Sequence, residues 1–178
     1  TIGNIQTSNK SCGHRLFSDI FEVKSAESWK ENLNRNCVLA DKEERRSKIE
    51  AQLNKYAQNL GSSVLAWDLL DEVVDLVEWP VTIVSEFDED LLELPPRLLI
   101  EAMKIHQRVF PLERDGKLSN SFLVVTNHPY ATDEETAANI AEGNRRVLTA
   151  RFYDAKFFYA EDRRKKLEDN WSKLEGMR

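Results

Sequence analysis

The densest group of side chains that could do chemistry is a run of carboxylates in residues 67–78. Apolar residues share one side of the helix that this segment predicts, and the opposite side carries Asp68, Asp71, Glu72, Asp75 and Glu78. Such carboxylates could bind a divalent cation or exchange protons, but metal ligands must converge from several elements. Acidic residues along a single helix are typical of its solvated face. The run alone therefore predicts no metal site.

The other residue types that carry catalysis form no recognisable constellation. His14, His106 and His128 lie far apart with no zinc-binding spacing, and Cys12 and Cys37 do not form a CxxC pair. We expect both cysteines to be reduced thiols. The sequence has no glycine-rich phosphate loop and no GxSxG nucleophile motif. An independent hydrolase is therefore the least supported function.

The acidic excess of the chain is concentrated in its middle. The 178 residues include 25 basic and 31 acidic side chains, for a net charge of −6. Residues 67–101 carry 1 basic and 11 acidic residues, whereas residues 141–178 carry 10 basic and 7 acidic ones. A self-sufficient nucleic-acid binder usually has the opposite overall sign, but basic ends could still hold RNA. On charge alone we favour solvated helix faces, and the basic run Arg163-Arg164-Lys165-Lys166 is typical of a solvated helix end.

Helix signals recur through the first two thirds of the chain. Asp41 can cap a helix that Gly61 ends. Residues 67–78 predict a second helix, and residues 96–107 a third. Trp79 is expected to plug the core where the second helix meets the next strand.

A hairpin and a long helical segment complete the chain. Asp115-Gly116 is a strong turn dipeptide, and Pro111 predicts that the first strand of the hairpin lies at a sheet edge. From Asp133 onward the pattern is helical, with Gly143 as a point that divides two helices.

We therefore predict an α+β fold in which several helices pack on an antiparallel sheet and the chain ends in a long helical segment. The predicted organisation is an extended arm or ribbon at 1–24, an α+β core at 25–132, and a long helical segment packing on the core at 133–178. Because the chain starts at Thr1 without a methionine, we expect a fragment or a processed chain.

Motifs spread over nearly the whole chain share their order and spacing with one protein family. They are Gly13-His14-Arg15 with Phe17, Val38-Leu39-Ala40-Asp41 with Arg45 and Ile49, Leu70-Asp71-Glu72-Val73, Leu76-Val77-Glu78-Trp79-Pro80-Val81, Glu86-Phe87-Asp88, Leu92-Glu93-Leu94-Pro95, His106-Gln107, Gly116-Lys117-Leu118, Gly143-Asn144, Arg146-Val147-Leu148, Ala150-Arg151 and Asp154-Ala155-Lys156-Phe157-Phe158. In these motifs the sequence resembles an internal part of the beta subunit of bacterial heterotetrameric glycyl-tRNA synthetase. It departs from the family pattern at Leu16, where an aromatic residue is usual.

The resemblance implies a piece of glycine–tRNA ligase, which attaches glycine to its tRNA with ATP through an aminoacyl-adenylate. In this family the adenylation site, with ATP and magnesium, lies on the separate alpha subunit. We therefore expect no catalytic residue, metal or cofactor in this fragment. The expected partners are the alpha subunit and glycine tRNA, with no DNA or membrane, in the cytoplasm.

The resemblance also selects candidate contact residues. The candidates for RNA contact are Arg15, Arg45, Arg146, Arg163, Arg164, Lys165 and Lys166. Arg151 and Asp154, three residues apart, are predicted to form a structural pair. The alternative function is a non-catalytic interaction module that docks the alpha subunit through its acidic face, with Asp71, Asp75 and Glu78 as the candidate residues.

Overall fold

The structure is a computed structural model that describes residues 8–164 together with Gly3, Gln6, Lys166 and Glu168. The strands within this part are β1 (Lys10–Cys12), β2 (Ile20–Glu22), β3 (Ser63–Val64), β4 (Val81–Glu86), β5 (Phe110–Arg114) and β6 (Lys117–Thr126). The α-helices are α1 (Ala26–Arg35), α2 (Lys42–Asn59), α3 (Leu70–Leu76), α4 (Pro96–Ala102) and α5 (Glu134–Arg164).

The main sheet is antiparallel and has the strand order β3-β5-β6-β4. Strands β1 and β2 form a separate two-stranded ribbon. The predicted hairpin between β5 and β6 is confirmed: Asp115 and Gly116 both have positive φ, at 51° and 72°. This backbone matches the twist of the flanking strands, which explains the preference for Asp-Gly at such turns.

The expectation that Pro111 marks an edge strand is wrong. Strand β5 lies inside the sheet, between β3 and β6. Its pairing with β6 shifts register between Pro111 and Glu113, so the proline lies where the ladder is already irregular. The Pro111 carbonyl still accepts a hydrogen bond from the Leu65 amide at 2.9 Å.

Alternation along β6 supplies two hydrophobic cores, one on each face of the sheet. Phe122 and Val124 join the core that contains Leu148 and Phe152 of α5. Leu123 joins the opposite core. That second core contains Ile49 and Leu53 of α2 and Val73 and Val74 of α3. Since successive strand residues face opposite sides, one strand serves both helical layers. The predicted α+β class with helices packed on an antiparallel sheet is confirmed; the predicted boundaries at 24 and 132 stay a prediction.

The helix boundaries differ from the prediction in three places. The helix predicted at 67–78 is α3 preceded by a 3₁₀ turn at Trp67–Leu69, and it ends before Pro80. The helix predicted at 96–107 is α4 followed by a π-helical turn at Met103–Gln107. Gly143 does not divide α5, which is continuous. A helical glycine costs about 1 kcal/mol relative to alanine, and packing of α5 on the sheet offsets it.

Candidate functional surfaces

The Gly13-His14-Arg15 motif fixes the N-terminal ribbon to the domain. Gly13 is buried so closely that an added Cβ would lie 2.5 Å from the Asn36 Cβ and 2.6 Å from the Ser18 Cβ. Only glycine permits this approach. The next residue but one, Arg15, is exposed, and its amide donates to the Glu78 carboxylate at 3.3 Å. The motif therefore holds its arginine side chain at the surface.

His14 is fully buried, and both of its ring nitrogens have partners. Its Nδ1 accepts a hydrogen bond from the Leu16 amide at 3.3 Å, so Nε2 is the ring nitrogen left to donate, to the Asn127 carbonyl at 3.1 Å. The Asn127 side chain in turn accepts bonds from the amides of Glu78 and Trp79. His14 therefore makes ordinary polar contacts and ties the ribbon to the segment that follows α3.

Phe17 forms an aromatic cluster that sequence reasoning missed. Its ring lies 4.5 Å from the His128 ring and 5.4 Å from the Tyr130 ring, both in edge-on geometry. It also lies 5.1 Å from the His14 ring. Phe17 is visible in the sequence beside the Gly13-His14-Arg15 motif, but His128 and Tyr130 come from a loop beyond β6, which no local pattern indicates.

The acidic face, defined as Asp68, Asp71, Glu72 and Asp75, pairs with cations of the same chain. Each carboxylate has its own partner: Asp68–Lys104 at 2.7 Å, Asp71–Arg46, Glu72–Arg108 at 2.7 Å and Asp75–Lys42 at 2.8 Å. The Lys104 hydrogen bond is the main reason that the pKa of Asp68 lies below its ordinary value. The acidic face is therefore electrically balanced by α2 and by the segment after α4.

Glu78, the third docking candidate with Asp71 and Asp75, is also engaged within the chain. Its carboxylate accepts the Arg15 amide and lies 3.7 Å from the His14 Nε2. All three docking candidates thus contribute to internal contacts.

Arg45 is occupied by backbone carbonyls. Its guanidinium donates to the carbonyls of Leu39 at 2.6 Å, Ala40 at 3.0 Å and Val74 at 3.2 Å. These bonds join the loop before α2 to α3. They use three of the five N–H groups of the guanidinium, so Arg45 has a structural role, and its RNA contact stays a prediction.

Trp79 packs against the core at the junction of α3 and β4, which confirms its expected structural role. The Lys48 ammonium lies 3.9 Å from the centre of its ring, a cation–π geometry. Burial lowers the pKa of Lys48.

The remaining RNA-contact candidates lie on α5. Arg146 is exposed and makes no ion pair within the described residues, whereas its neighbour Arg145 bonds Glu142 at 2.7 Å. Arg163 lies 5.7 Å from the centre of the Tyr159 ring, and Arg164 pairs with Glu161. The remaining two candidates are Lys165, which lies outside the described residues, and Lys166, which lies within them.

The predicted structural pair between Arg151 and Asp154 is not formed. Both side chains are exposed, and in the part of the chain that the structure describes they make no ion pair with each other. Because an exposed pair gains little over hydration, nothing holds the two side chains together. Both line the groove between α4 and α5 instead.

Comparison with known proteins decides the family. Residues 1–178 match the family described as glycyl-tRNA synthetase beta subunit. The chain belongs to this family. It is 40% identical over 177 residues to the glycine–tRNA ligase beta subunit of Neisseria meningitidis, which covers 97% of the chain and 25% of that relative. The Clostridioides difficile subunit is 40% identical over 172 residues, covering 96% of the chain and 24% of the relative.

The chain spans about a quarter of the length of the curated relatives that it matches. The resemblance drawn from the motifs is thereby confirmed, including the inference that the chain is a fragment of a ligase subunit. A third relative, from Phenylobacterium zucineum, is also 40% identical, over 183 residues, which cover 99% of the chain and 27% of the relative.

The described residues contain neither a metal-binding cluster nor a helix that could cross a membrane. Among residues 8–164 and the few other described positions, no group of three or more His, Cys, Asp or Glu side chains could hold a metal ion. Within the same residues, no helix combines the length and hydrophobicity that a bilayer crossing requires.

Proposed function

We propose that this chain handles tRNA as part of a glycine–tRNA ligase, with the arginines of α5 and the ribbon as its contacts. Adenylate formation, with ATP and magnesium, takes place on a separate alpha subunit, and this chain carries no catalytic residue. The enzyme acts in the cytoplasm, with which the two free cysteines are compatible.

The observation that carries the proposal is the exposed guanidinium of Arg146 on the outer side of α5, which forms no salt bridge within the described residues. Helical spacing places Arg146 and Arg164 on the side of α5 away from Leu148, which is fully buried against the sheet. Arginine suits phosphate recognition because its planar fork can donate two parallel hydrogen bonds. Arg15, held outward by the buried Gly13 and His14, adds a second exposed guanidinium.

The internal pairing of the acidic face argues against the alternative, docking of the alpha subunit through Asp71, Asp75 and Glu78. A partner bringing cations to this face would compete with Arg46 and Lys42, which already pair with Asp71 and Asp75. The net gain from such an exchange is small. By contrast, Arg146 forms no salt bridge within the described residues, and the Glu142 carboxylate, whose pKa its charge helps to lower, is paired with Arg145.

Aminoacylation kinetics of the reconstituted enzyme test the proposal. The combined change Arg146→Gln, Arg163→Gln and Arg164→Gln in the full-length beta subunit should raise the KM for glycine tRNA at least about tenfold, since each charged hydrogen bond is worth about 1.5–3 kcal/mol. The kcat and the KM values for glycine and ATP should stay near those of the wild type.

The matched control keeps the charge: the corresponding triple change to lysine should retain most of the tRNA affinity. A second control, Asp71→Asn with Asp75→Asn, should leave the KM for tRNA unchanged. An unaltered KM in the glutamine variant would overturn the proposal. Loss of subunit assembly in the asparagine variant would favour the docking alternative.

A further inference from the structure

The C-terminal half of α5 exposes an unusual number of aromatic side chains. We define this aromatic end of α5 as Tyr153, Phe157, Phe158 and Tyr159, which are 55%, 62%, 63% and 36% exposed. The residue just before it, Phe152, is fully buried and lies 4.9 Å from the Phe87 ring. The core contact of α5 therefore ends at Phe152, while the aromatic sequence continues.

These aromatic residues point in several directions around the helix. Each residue turns the helix by about 100°, so Phe157 and Phe158 lie on different sides, and Tyr159 turns back toward the side of Phe152. Phe157 and Phe158 touch each other, with ring centroids 5.6 Å apart. Asp154 and Lys156 lie within this aromatic run in sequence, but aromatic side chains on several sides of one helix are normally enclosed by other elements.

A groove beside the aromatic end extends this surface toward α4. It has a volume of about 460 Å³ and is lined by Leu98, Ala102 and Ile105 on one side and by Ala155 and Phe158 on the other. Ile105 is itself 59% exposed. The apolar surface thus continues from one helix to the next.

Polar residues border the groove. Arg151 and Asp154 line it, and within the described residues neither makes an ion pair. An apolar centre with a polar rim of both charges is the usual composition of a protein–protein interface.

We infer that the aromatic end of α5 and the adjoining groove are the packing site for a further segment of the same beta-subunit polypeptide. The relatives are about four times as long as this chain, so the subunit contains ample polypeptide to cover the site. A folded segment can enclose several sides of a helix, which this surface requires. An RNA strand stacking on aromatic side chains would need them along one side only.

The inference rests on family membership and not on where tRNA binds. The two proposals can therefore fail independently. The packing site is tested by footprinting the beta subunit alone, whereas the tRNA contacts are tested by the KM for tRNA in aminoacylation.

Hydroxyl-radical footprinting of the wild-type, full-length beta subunit alone tests the inference. Tyr153 and Tyr130 are matched controls, since they are the same residue type and are 55% and 58% exposed in this structure. In the full subunit we expect Tyr153, Phe157 and Phe158 to be oxidised about tenfold more slowly than their exposure here implies, with Tyr153 well below Tyr130, as expected for the dry centre of an interface.

Every other protection pattern overturns the inference. Protection only after adding the alpha subunit would mark a subunit interface, and protection only after adding tRNA would mark an RNA surface. Protection that grows with protein concentration would mark contact with a second copy. Oxidation of Tyr153 at the rate of Tyr130 under all conditions would mark a free surface.

A pair of substitutions gives an independent readout. In the full-length subunit Phe158→Asp should lower the melting temperature, because a charge would enter a buried interface. Leu76→Asp, at a residue 51% exposed on α3, should change it little. Equal, small effects of the two substitutions would contradict the inference.

Discussion

The acidic face of α3 and the aromatic end of α5 are both strongly marked in the sequence, yet they differ in how their side chains are satisfied. Each carboxylate of the acidic face has a cation of the same chain within salt-bridge distance. The aromatic end leaves Phe157 and Phe158 more than half exposed, next to Arg151, which makes no ion pair within the described residues. A dense run of charge can therefore be a structural contact, and the surface open to partners is the one whose groups lack internal partners.

The largest expected effect separates the two halves of α5. Phe152→Ala should destabilise the chain by about 3–5 kcal/mol, because it removes a fully buried ring from the core. Phe158→Ala should cost this chain less than about 0.5 kcal/mol, as expected for a surface position. Urea unfolding of the two variants checks the difference, and similar midpoints would show that α5 is not divided into a buried and an open half.

A smaller effect is expected where α2, the loop before it and α3 are joined. Arg45→Met should destabilise the chain by about 1–3 kcal/mol, because three backbone carbonyls lose their donor. Arg45→Lys should recover only part of this loss, since lysine has no planar fork. If Arg45 instead contacts RNA, Arg45→Met will weaken tRNA binding without lowering the midpoint of urea unfolding.

Breaking the pairs of the acidic face should have a small effect. Asp71→Asn with Asp75→Asn should lower the melting temperature slightly at low salt, and the difference should vanish in concentrated salt, because both pairs are exposed to solvent. Thermal scans at the two salt concentrations check this. A large loss that persists in concentrated salt would mean that the face supports the fold by more than exposed ion pairs.

The part of the fold that could be predicted from sequence is local. The sequence predicts Asp41 as a helix cap, and its carboxylate accepts hydrogen bonds from the amides of Glu43 and Glu44. The Asp115-Gly116 dipeptide likewise predicts its turn from two residues alone. The partners of the acidic face could not be predicted in this way, because Lys104 and Arg108 reach α3 only through the packing of distant segments. The break predicted at Gly143 is wrong because tertiary packing of α5 outweighs the weak preference of glycine against helix.

For the candidate site too, the sequence indicates local motifs but not the residues that they contact. The motif Gly13-His14-Arg15 is visible in the sequence, but its role is not. Gly13 packs against Asn36, and His14 bonds the Asn127 carbonyl, and both asparagines are distant in sequence. Arg45 and Arg146 were indistinguishable in sequence. Only their surroundings separate a guanidinium bonded to carbonyls from an exposed one.

The smallest expected effect is a pH dependence at the start of α2, which carries two of the four cations that pair with the acidic face. Hydrogen bonds from the Glu44 and Glu43 amides hold the pKa of Asp41 below its ordinary value. Its stabilising contribution is therefore complete above the unfolded-state pKa and is lost as pH falls through the lower, folded-state pKa. The melting temperature of the wild type should approach that of Asp41→Asn on acidification. Parallel curves would show that Asp41 does not act as an ionised cap.

The most direct test of the central claim is the salt dependence of tRNA binding by the full-length beta subunit. The slope of log K against log salt falls by about one for each phosphate contact that is removed. The account predicts a shallower slope for Arg146→Gln and for Arg15→Gln, with an unchanged slope for Arg45→Met and for Asp71→Asn. An unchanged slope at both exposed arginines, with full binding retained, would contradict the claim that these side chains hold tRNA.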